Sequence, residues 1–442
     1  MEILIAVVRG ILGLTVILGI AFAVSGARKR TNWRLVGTGI LLQLILAIFI
    51  LKGDAMGAYF APLGWPKAFF SWVSSFFVLI LDFTTAGAKF IFGDLAISPG
   101  QERSMGAFFG FQVLPTIIFF SSLMSMLYYL GIMQRVVQGM AWLMLRIMGT
   151  SGAESLSVTA NIFVGQTEAP LMIRPYLKGM THSELLAVMT GGMATIAGGV
   201  MAAYIQMLGD SFAQARGMEL GAARLEFAEL LLGASVMAAP AALVLAKLMI
   251  PETSEPETKG EVKVKVEKTG QNVIDAAARG AADGLKLALN VAGMLIAFIA
   301  LIAMFNYFIG WAGGFFGWDL TLEKLLGWAL APMAWIIGVP WSDATQFGSL
   351  LGTKIVINEF VAYMSLAGSI KGTLLSHKGI IMATYALCGF ANFSSIAIQI
   401  GGIGPLVPER ISEIAGLGLR AVMAGTLANM MTATIAGVLI SL

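Results

Sequence analysis

N-I-F-V-G-Q-T-E-A-P-L-M-I-R-P, residues 161–175, is the stretch on which the reading of the whole chain turns. It sets a carboxylate (Glu168), two amides (Asn161 and Gln166) and a hydroxyl (Thr167) beside the helix breakers Gly165 and Pro170, with long apolar runs on either side. An acidic residue at the centre of a membrane helix costs roughly 2.5 to 3.5 kcal/mol on insertion scales, so it faces a cavity or a partner. Irregular backbone at membrane depth is tolerated only where protein buries it or water lines it. The stretch therefore reads as the tip of a re-entrant hairpin lining a binding cavity. A loop outside the bilayer is the plainer alternative.

Composition fixes the class. Of 442 residues, 58% are hydrophobic and 12% charged, about half the charge of an ordinary soluble domain. Apolar runs recur from end to end, which makes the chain a polytopic all-α membrane protein. Its net charge of +3 is small and its Lys and Arg are scattered among loops, so no nucleic-acid partner is expected. A single cysteine, Cys388, excludes an intrachain disulfide, and two histidines, His182 and His377, cannot build a His-rich metal site. No cofactor is expected.

Residues 3–26 form a first span, long enough at about 1.5 Å per residue to cross a hydrocarbon core of ~30 Å. The cluster Arg28, Lys29, Arg30 and Arg34 follows this run, the reverse of a signal peptide, and the positive-inside bias places the N-terminus outside. Residues 39–51 with their flanks return outward. Between 56 and 106, aromatic runs alternate with Asp82, Lys89, Asp94, Glu102 and Arg103, a pattern that suits an interfacial helix more than a clean span. Residues 113–133 cross inward, with Arg135 and Arg146 beyond them. After the hairpin, 184–208 is interrupted by G-G-M-A-T-I-A-G-G, whose glycines each lower helix propensity by about 1 kcal/mol relative to Ala. An ion-binding break and close helix packing by small residues both account for it. Residues 230–250 cross inward again.

Residues 251–271 carry a mixed charge run without an apolar face and read as a cytoplasmic linker between two halves. Residues 272–286 look like an amphipathic lead-in to a span over 287–309. Residues 330–339 are too short to cross and are punctuated by Pro332, Gly338 and Pro340. Then I-N-E-F-V-A-Y places Asn358 and Glu359 at depth, and 380–400 is broken by C-G-F-A-N-F-S-S-I-A before a last span over 421–442. Paired interrupted segments at corresponding places in two halves point to a transporter's substrate site. The expected fold is about eight transmembrane helices plus two opposed re-entrant hairpins in an inverted repeat, with both termini outside. Two other classes fit the pattern less well. A channel needs a continuous polar pore, whereas the polar residues here cluster. An intramembrane enzyme using Glu168 and Glu359 as acid and base needs a water path and a cleavable substrate.

The motifs G-Q-T-E-A-P, N-E-F-V-A-Y and C-G-F-A-N-F-S-S-I-A, with P-E-R and A-G-T-L-A-N-M-M-T-A-T-I-A-G, resemble those of bacterial concentrative nucleoside transporters over essentially the whole chain. The resemblance implies a homotrimer in the lipid of the bacterial inner membrane, with a scaffold domain and a transport domain that moves as an elevator. Its parts would be scaffold helices and an interfacial helix over 1–135, and the first hairpin, broken helix and following helix over 136–250. A linker over 251–272 would lead to an interfacial and a scaffold helix over 273–315. The second hairpin, broken helix and last helix would fill 316–442.

Position by position, the resemblance assigns Gln166, Thr167 and Glu168 to the nucleobase, with Val200 as an apolar contact. Glu359 matches the acceptor of ribose hydroxyls, Asn392 and Ser395 a polar pair, and Phe390 their aromatic neighbour. Asn161 and Thr195 match side-chain ligands of sodium, and Val164 and Ile196 carbonyl donors. Ser is as expected as Thr at position 195, and the extra methyl bears on cation preference. None of these four residues titrates, which favours sodium over proton coupling. Glu168 is the group through which a proton-coupled symporter would work. Glu168 and Glu359 could instead be ion-pair partners of Arg174 and Lys354.

Overall fold

The computed structural model describes residues 2–99, 101–260 and 270–442, all helix, turn and loop apart from one isolated bridge between Ser151 and Lys259. Residues 261–269 of the expected charged linker lie outside the described residues.

The apolar helices fall into two classes by burial. In Ile3–Ala23 and Val273–Gly314 only 17% of the apolar window is buried, whereas in His182–Arg216 and Leu220–Met249 the share is 89%. The last run, Pro408–Ser441, belongs with the second class at 83%. The exposed apolar faces of the first class suit lipid or neighbouring subunits, since the chain has no other way to remove them from water.

Two repeats of one order form the buried class. In the first, the short helix Gly152–Ala160 and the 3₁₀ run Ala169–Tyr176 make a hairpin, and His182–Ala194 and Gly198–Arg216 make a helix broken in two. Leu220–Met249 closes the repeat. In the second, Trp341–Val356 and Glu359–Lys371 make the hairpin, His377–Leu387 and Phe393–Ile403 the broken helix, and Ile411–Ser441 the closing helix. At 1.5 Å per residue no hairpin helix reaches ~30 Å, so none can cross alone.

Polar residues hold the first hairpin at its base. Ser151 and Thr181 each start a helix with a capping box, to Glu154 and Glu184 respectively. Ser151 Oγ also donates to Glu184, which ties the two boxes together. Lys247 reaches Glu154 at 2.8 Å and Glu252 at 3.0 Å, pairing the buried Glu154 charge. Removing one partner of such a buried pair leaves an uncompensated charge, which costs about 3 to 5 kcal/mol.

Among the described residues eight runs are long and apolar enough to cross a membrane, but they are not the eight expected. The broken helix over 377–403 is absent from them, because each half is only 11 residues long. The run Ala61–Ala96 takes its place. Where an interfacial helix was expected between 56 and 106, Trp65–Phe92 is one unbroken helix. One charge in it, Lys67, is buried against Glu229 rather than solvated.

A second correction concerns 273–315. The expected interfacial helix and scaffold helix are a single helix, Val273–Gly314, of 42 residues. What looked like an amphipathic lead-in is a packing seam: a Cβ on Gly280 would stand 2.7 Å from Ser121 O, and one on Gly284 would stand 2.8 Å from Ile118 Cα. Small residues at this spacing let the helix close onto Leu114–Tyr129. An element that the sequence reading lacked is Ile132–Met148, bounded by Gly131 and Gly149 at φ 76° and 69°. It buries Met133, Val137, Ala141, Met144 and Met148 and leaves Trp142, Leu143 and Ile147 exposed, the build of a helix lying at a membrane surface.

Candidate substrate and cation site

Both broken helices are interrupted where they meet. Gly389, at φ 149°, lies so close to the end of the first half-helix that a Cβ there would stand 2.7 Å from Ala194 O. Only glycine allows that approach with that backbone. The hairpin tips close over this crossing from the two repeats.

At the first tip, Gln166 is buried and its amide is held at both ends. Its Nε2 donates to Ser395 Oγ at 3.2 Å, and its Oε1 accepts from Gln399 Nε2 at 3.1 Å. Gln399 is fixed in turn by donating to Met189 O at 2.9 Å. Thr167 packs its methyl into the space left by Gly402, where a Cβ would come within 2.5 Å of Thr167 Cγ2. Glu168 is exposed, and its carboxylate takes the Gly165 N–H of its own tip. Val200 is buried near the start of the second half-helix.

At the second tip, Asn358 caps the helix that Glu359 begins by accepting the Val361 N–H at 2.9 Å. The Glu359 carboxylate accepts from Tyr204 Oη at 3.1 Å and from Asn392 Nδ2 at 3.0 Å. Asn392 is the cap of Phe393–Ile403, its Oδ1 accepting the Ser395 N–H at 2.9 Å. Phe390 stands half-buried in the same break. Gln166, Ser395, Asn392 and Glu359 thus form one chain of contacts across the two repeats. Charge-assisted bonds to a carboxylate suit vicinal hydroxyls, and an amide that donates and accepts suits the edge of a base.

Among the described residues, Asn161 Oδ1 is buried without a hydrogen-bond partner, as are the hydroxyls of Ser157 and Thr159 on the preceding hairpin helix and of Thr190 on His182–Ala194. Such groups are costly when left alone, and a hard cation satisfies them. The Asn161 Nδ2 is spent on Ser157 O at 2.9 Å, which leaves its oxygen open to a further partner. Thr195 Oγ1 donates to Gly191 O at 2.8 Å and keeps its lone pairs. The helix is broken at Thr195 by extended backbone (ψ 167°), and this break is tied to the tip by Gly198 N–H donating to Phe163 O at 3.1 Å. Ile196 is fully buried within the break and Val164 half-buried in the tip. The donor set fits sodium.

Tyr204, Gln399 and Asn429 are contact residues that the sequence reading did not place. The first two share a helix face with residues it did place, Tyr204 four after Val200 and Gln399 four after Ser395. Neither ion pair weighed from sequence is formed: Lys354 Nζ goes to Ala386 O at 2.9 Å and Asn429 Oδ1 at 2.6 Å, and Glu168 goes to its own tip.

The chain matches the family models described as "Na+ dependent nucleoside transporter" at its N-terminus over residues 12–95 and at its C-terminus over 230–437. A "Nucleoside recognition" model matches residues 110–211. An uncharacterised transporter of Bacillus subtilis is 44% identical over 98% of this chain and the whole of its own length. The chain belongs to the concentrative nucleoside transporter family. Mouse sodium/nucleoside cotransporter 1 is 41% identical over 97% of this chain and 63% of its own length. Among solved structures, CNTnw in an inward-facing substrate-bound state matches with a TM-score of 0.84 at 42% identity, covering 98% of both chains. An outward-facing CNTnw variant matches with a TM-score of 0.87, again at 42% identity, covering 99% of this chain and 98% of its own. As a nucleoside transporter of this family the chain is not an enzyme, and sodium is the ion to which the family is coupled.

Proposed function

We infer that the chain carries nucleosides inward across the bacterial inner membrane, each with sodium bound beside it, by moving its two repeats as an elevator against the more exposed helices. One observation carries the reading: the Gln166–Ser395–Asn392–Glu359 chain, which presents a base-reading amide and a hydroxyl-accepting carboxylate on opposite sides of one buried crossing. Sodium rests on the orphaned Asn161 Oδ1, with Thr195 as the second side-chain ligand and Val164 and Ile196 as carbonyl donors. The exposed apolar faces of the outer helices are the surfaces through which a homotrimer and lipid would be met. The positive-inside bias puts both termini in the periplasm.

A tenfold sodium gradient supplies about 1.4 kcal/mol and a potential of ~100 mV adds about 2.3 kcal/mol per charge. Together they sustain a nucleoside gradient of about 500-fold for one sodium, at tenfold per 1.4 kcal/mol. Uptake of labelled uridine into proteoliposomes, with sodium or choline outside, tests the reading. Accumulation should require sodium. Uptake that persists in choline and collapses with a protonophore would transfer the coupling to Glu168.

A further inference from the structure

The two repeats solve the same electrostatic problem with different means. In the first, the hairpin helix Gly152–Ala160 ends in Asn161, beside the break that follows His182–Ala194. In the second, the hairpin helix Trp341–Val356 carries Lys354 in its last turn, beside the break that follows His377–Leu387. Lys354 is fully buried, and its ammonium donates to Ala386 O of that half-helix at 2.9 Å. Its other acceptor is Asn429 Oδ1, at 2.6 Å. Both acceptors are neutral oxygens, the kind of ligand the first repeat offers. The C-terminal end of a helix favours a positive charge, because its last carbonyls point outward unpaired.

Asn429 makes the two positions parts of one structure. Its Nδ2 donates to Ala194 O and to Cys388 O, each at 2.6 Å, so a single side chain joins the ends of both half-helices. Ala194 directly precedes Thr195 and Ile196, the expected cation ligands, and the Lys354 ammonium holds the other end of the same amide.

We propose that Lys354 is a tethered cation, occupying in the second repeat the place that sodium takes in the first, and that it thereby removes one sodium from the transport stoichiometry. The inference rests on the sodium reading given above for Asn161 and Thr195. A tethered ammonium holds Ala386 O of the second half-helix without an ion, whereas the Thr195–Ile196 break after the first half-helix is ligated only when an ion is bound. One break is therefore ion-dependent and the other is not. Replacing the ammonium with a small oxygen-bearing side chain should turn the second position into an ion site, with the hydroxyl, Ala386 O and Asn429 Oδ1 as ligands.

The test is the ratio of radiolabelled sodium to nucleoside entering proteoliposomes through the parent, Lys354→Ser and Lys354→Arg. Lys354→Ser should raise the ratio by one and make uptake depend more steeply on sodium concentration. Lys354→Arg, which keeps a cation, should leave the ratio at the parent value. A Lys354→Ser protein that transports at the parent ratio overturns the proposal. If Lys354→Ser is too unstable to reconstitute, its thermal midpoint in detergent decides: sodium in place of choline should raise it by a saturable amount beyond the parent's response. A midpoint no more sensitive to sodium than the parent's overturns the proposal in that case. Failure of the first-repeat reading shows separately, as an Asn161→Ala protein whose sodium requirement is unchanged.

Discussion

Asn392 donates its amide hydrogen to Glu359 at 3.0 Å while its amide oxygen holds the Ser395 N–H at 2.9 Å, so the cap of a half-helix also aims the carboxylate of the opposing hairpin. Glu359 is the one acidic side chain in the Gln166–Glu359 chain of contacts. Glu359→Gln should weaken binding of a ribonucleoside by about 1.5 to 3 kcal/mol, the usual worth of a hydrogen bond to a charged group. Binding of the 2′,3′-dideoxy analogue should change far less. Calorimetry on the purified protein compares the two, and equal losses would make Glu359 structural.

Gln399 reaches no substrate in this reading and acts through Gln166, whose oxygen it engages at 3.1 Å. Gln399→Leu leaves Gln166 Oε1 and Met189 O without that donor, a loss of about 1 to 3 kcal/mol. The expected outcome is weaker binding for nucleosides of every sugar, with discrimination among bases reduced. An unchanged base preference in competition assays would detach Gln399 from recognition.

The sodium ligands make a paired prediction. Asn161→Ala removes the orphaned amide oxygen and Thr195→Val replaces the hydroxyl with a methyl of similar shape. Each should raise the sodium concentration for half-maximal uptake while leaving nucleoside affinity at saturating sodium nearly intact. Loss of nucleoside affinity at every sodium concentration would mean that these residues support the fold instead.

Much of this site was legible in the chain itself, because lipid makes polar side chains expensive and those that persist mark a cavity. Asn161, Gln166, Glu359, Asn392 and Ser395 stand out for that reason, and each lies where the two repeats meet. Gln399 and Asn429 escaped because each is a single amide within an unbroken helical stretch, with no helix breaker beside it to mark a site. Their partners are carbonyls and amides more than 40 residues away, Met189 for Gln399 and Cys388 and Ala194 for Asn429. The long helix Val273–Gly314 was misread for a related reason. Gly280 and Gly284 look like weak helix formers in sequence, yet they are what brings Leu114–Tyr129 close.

That seam carries a stability prediction. Gly284→Val sets a side chain against Ile118 Cα and Ser121 Cβ, both 2.8 Å from the position of a first carbon. Backbone on one side of the clash prevents easy relief, so overpacking should cost about 1 to 3 kcal/mol. Thermal unfolding in detergent should show a lower midpoint for Gly284→Val, while Gly293→Val, with nothing within 4 Å, should match the parent.

Sidedness can be read from the exposed start of the linker. Thr253 is exposed, and the native Cys388 is buried. Thr253→Cys should resist an impermeant thiol reagent on intact spheroplasts and react after permeabilisation. Rapid labelling from outside would invert the orientation of both hairpins.

The segment that joins the repeats belongs, at its beginning, to the first of them. Thr258 offers its carbonyl to Gly152 N–H at 2.9 Å and its hydroxyl to Ala153 N–H at 3.0 Å, sealing the N-terminal end of the hairpin helix. The protein therefore has a natural seam for division into two separately made polypeptides, and it falls after residue 260 rather than at the end of the last helix of the first repeat. A break there leaves the first piece with its hairpin still sealed. A break at residue 250 strips two buried donors of their acceptors, and the first piece would have to find the hairpin's shape without the ten residues that follow it in the intact chain.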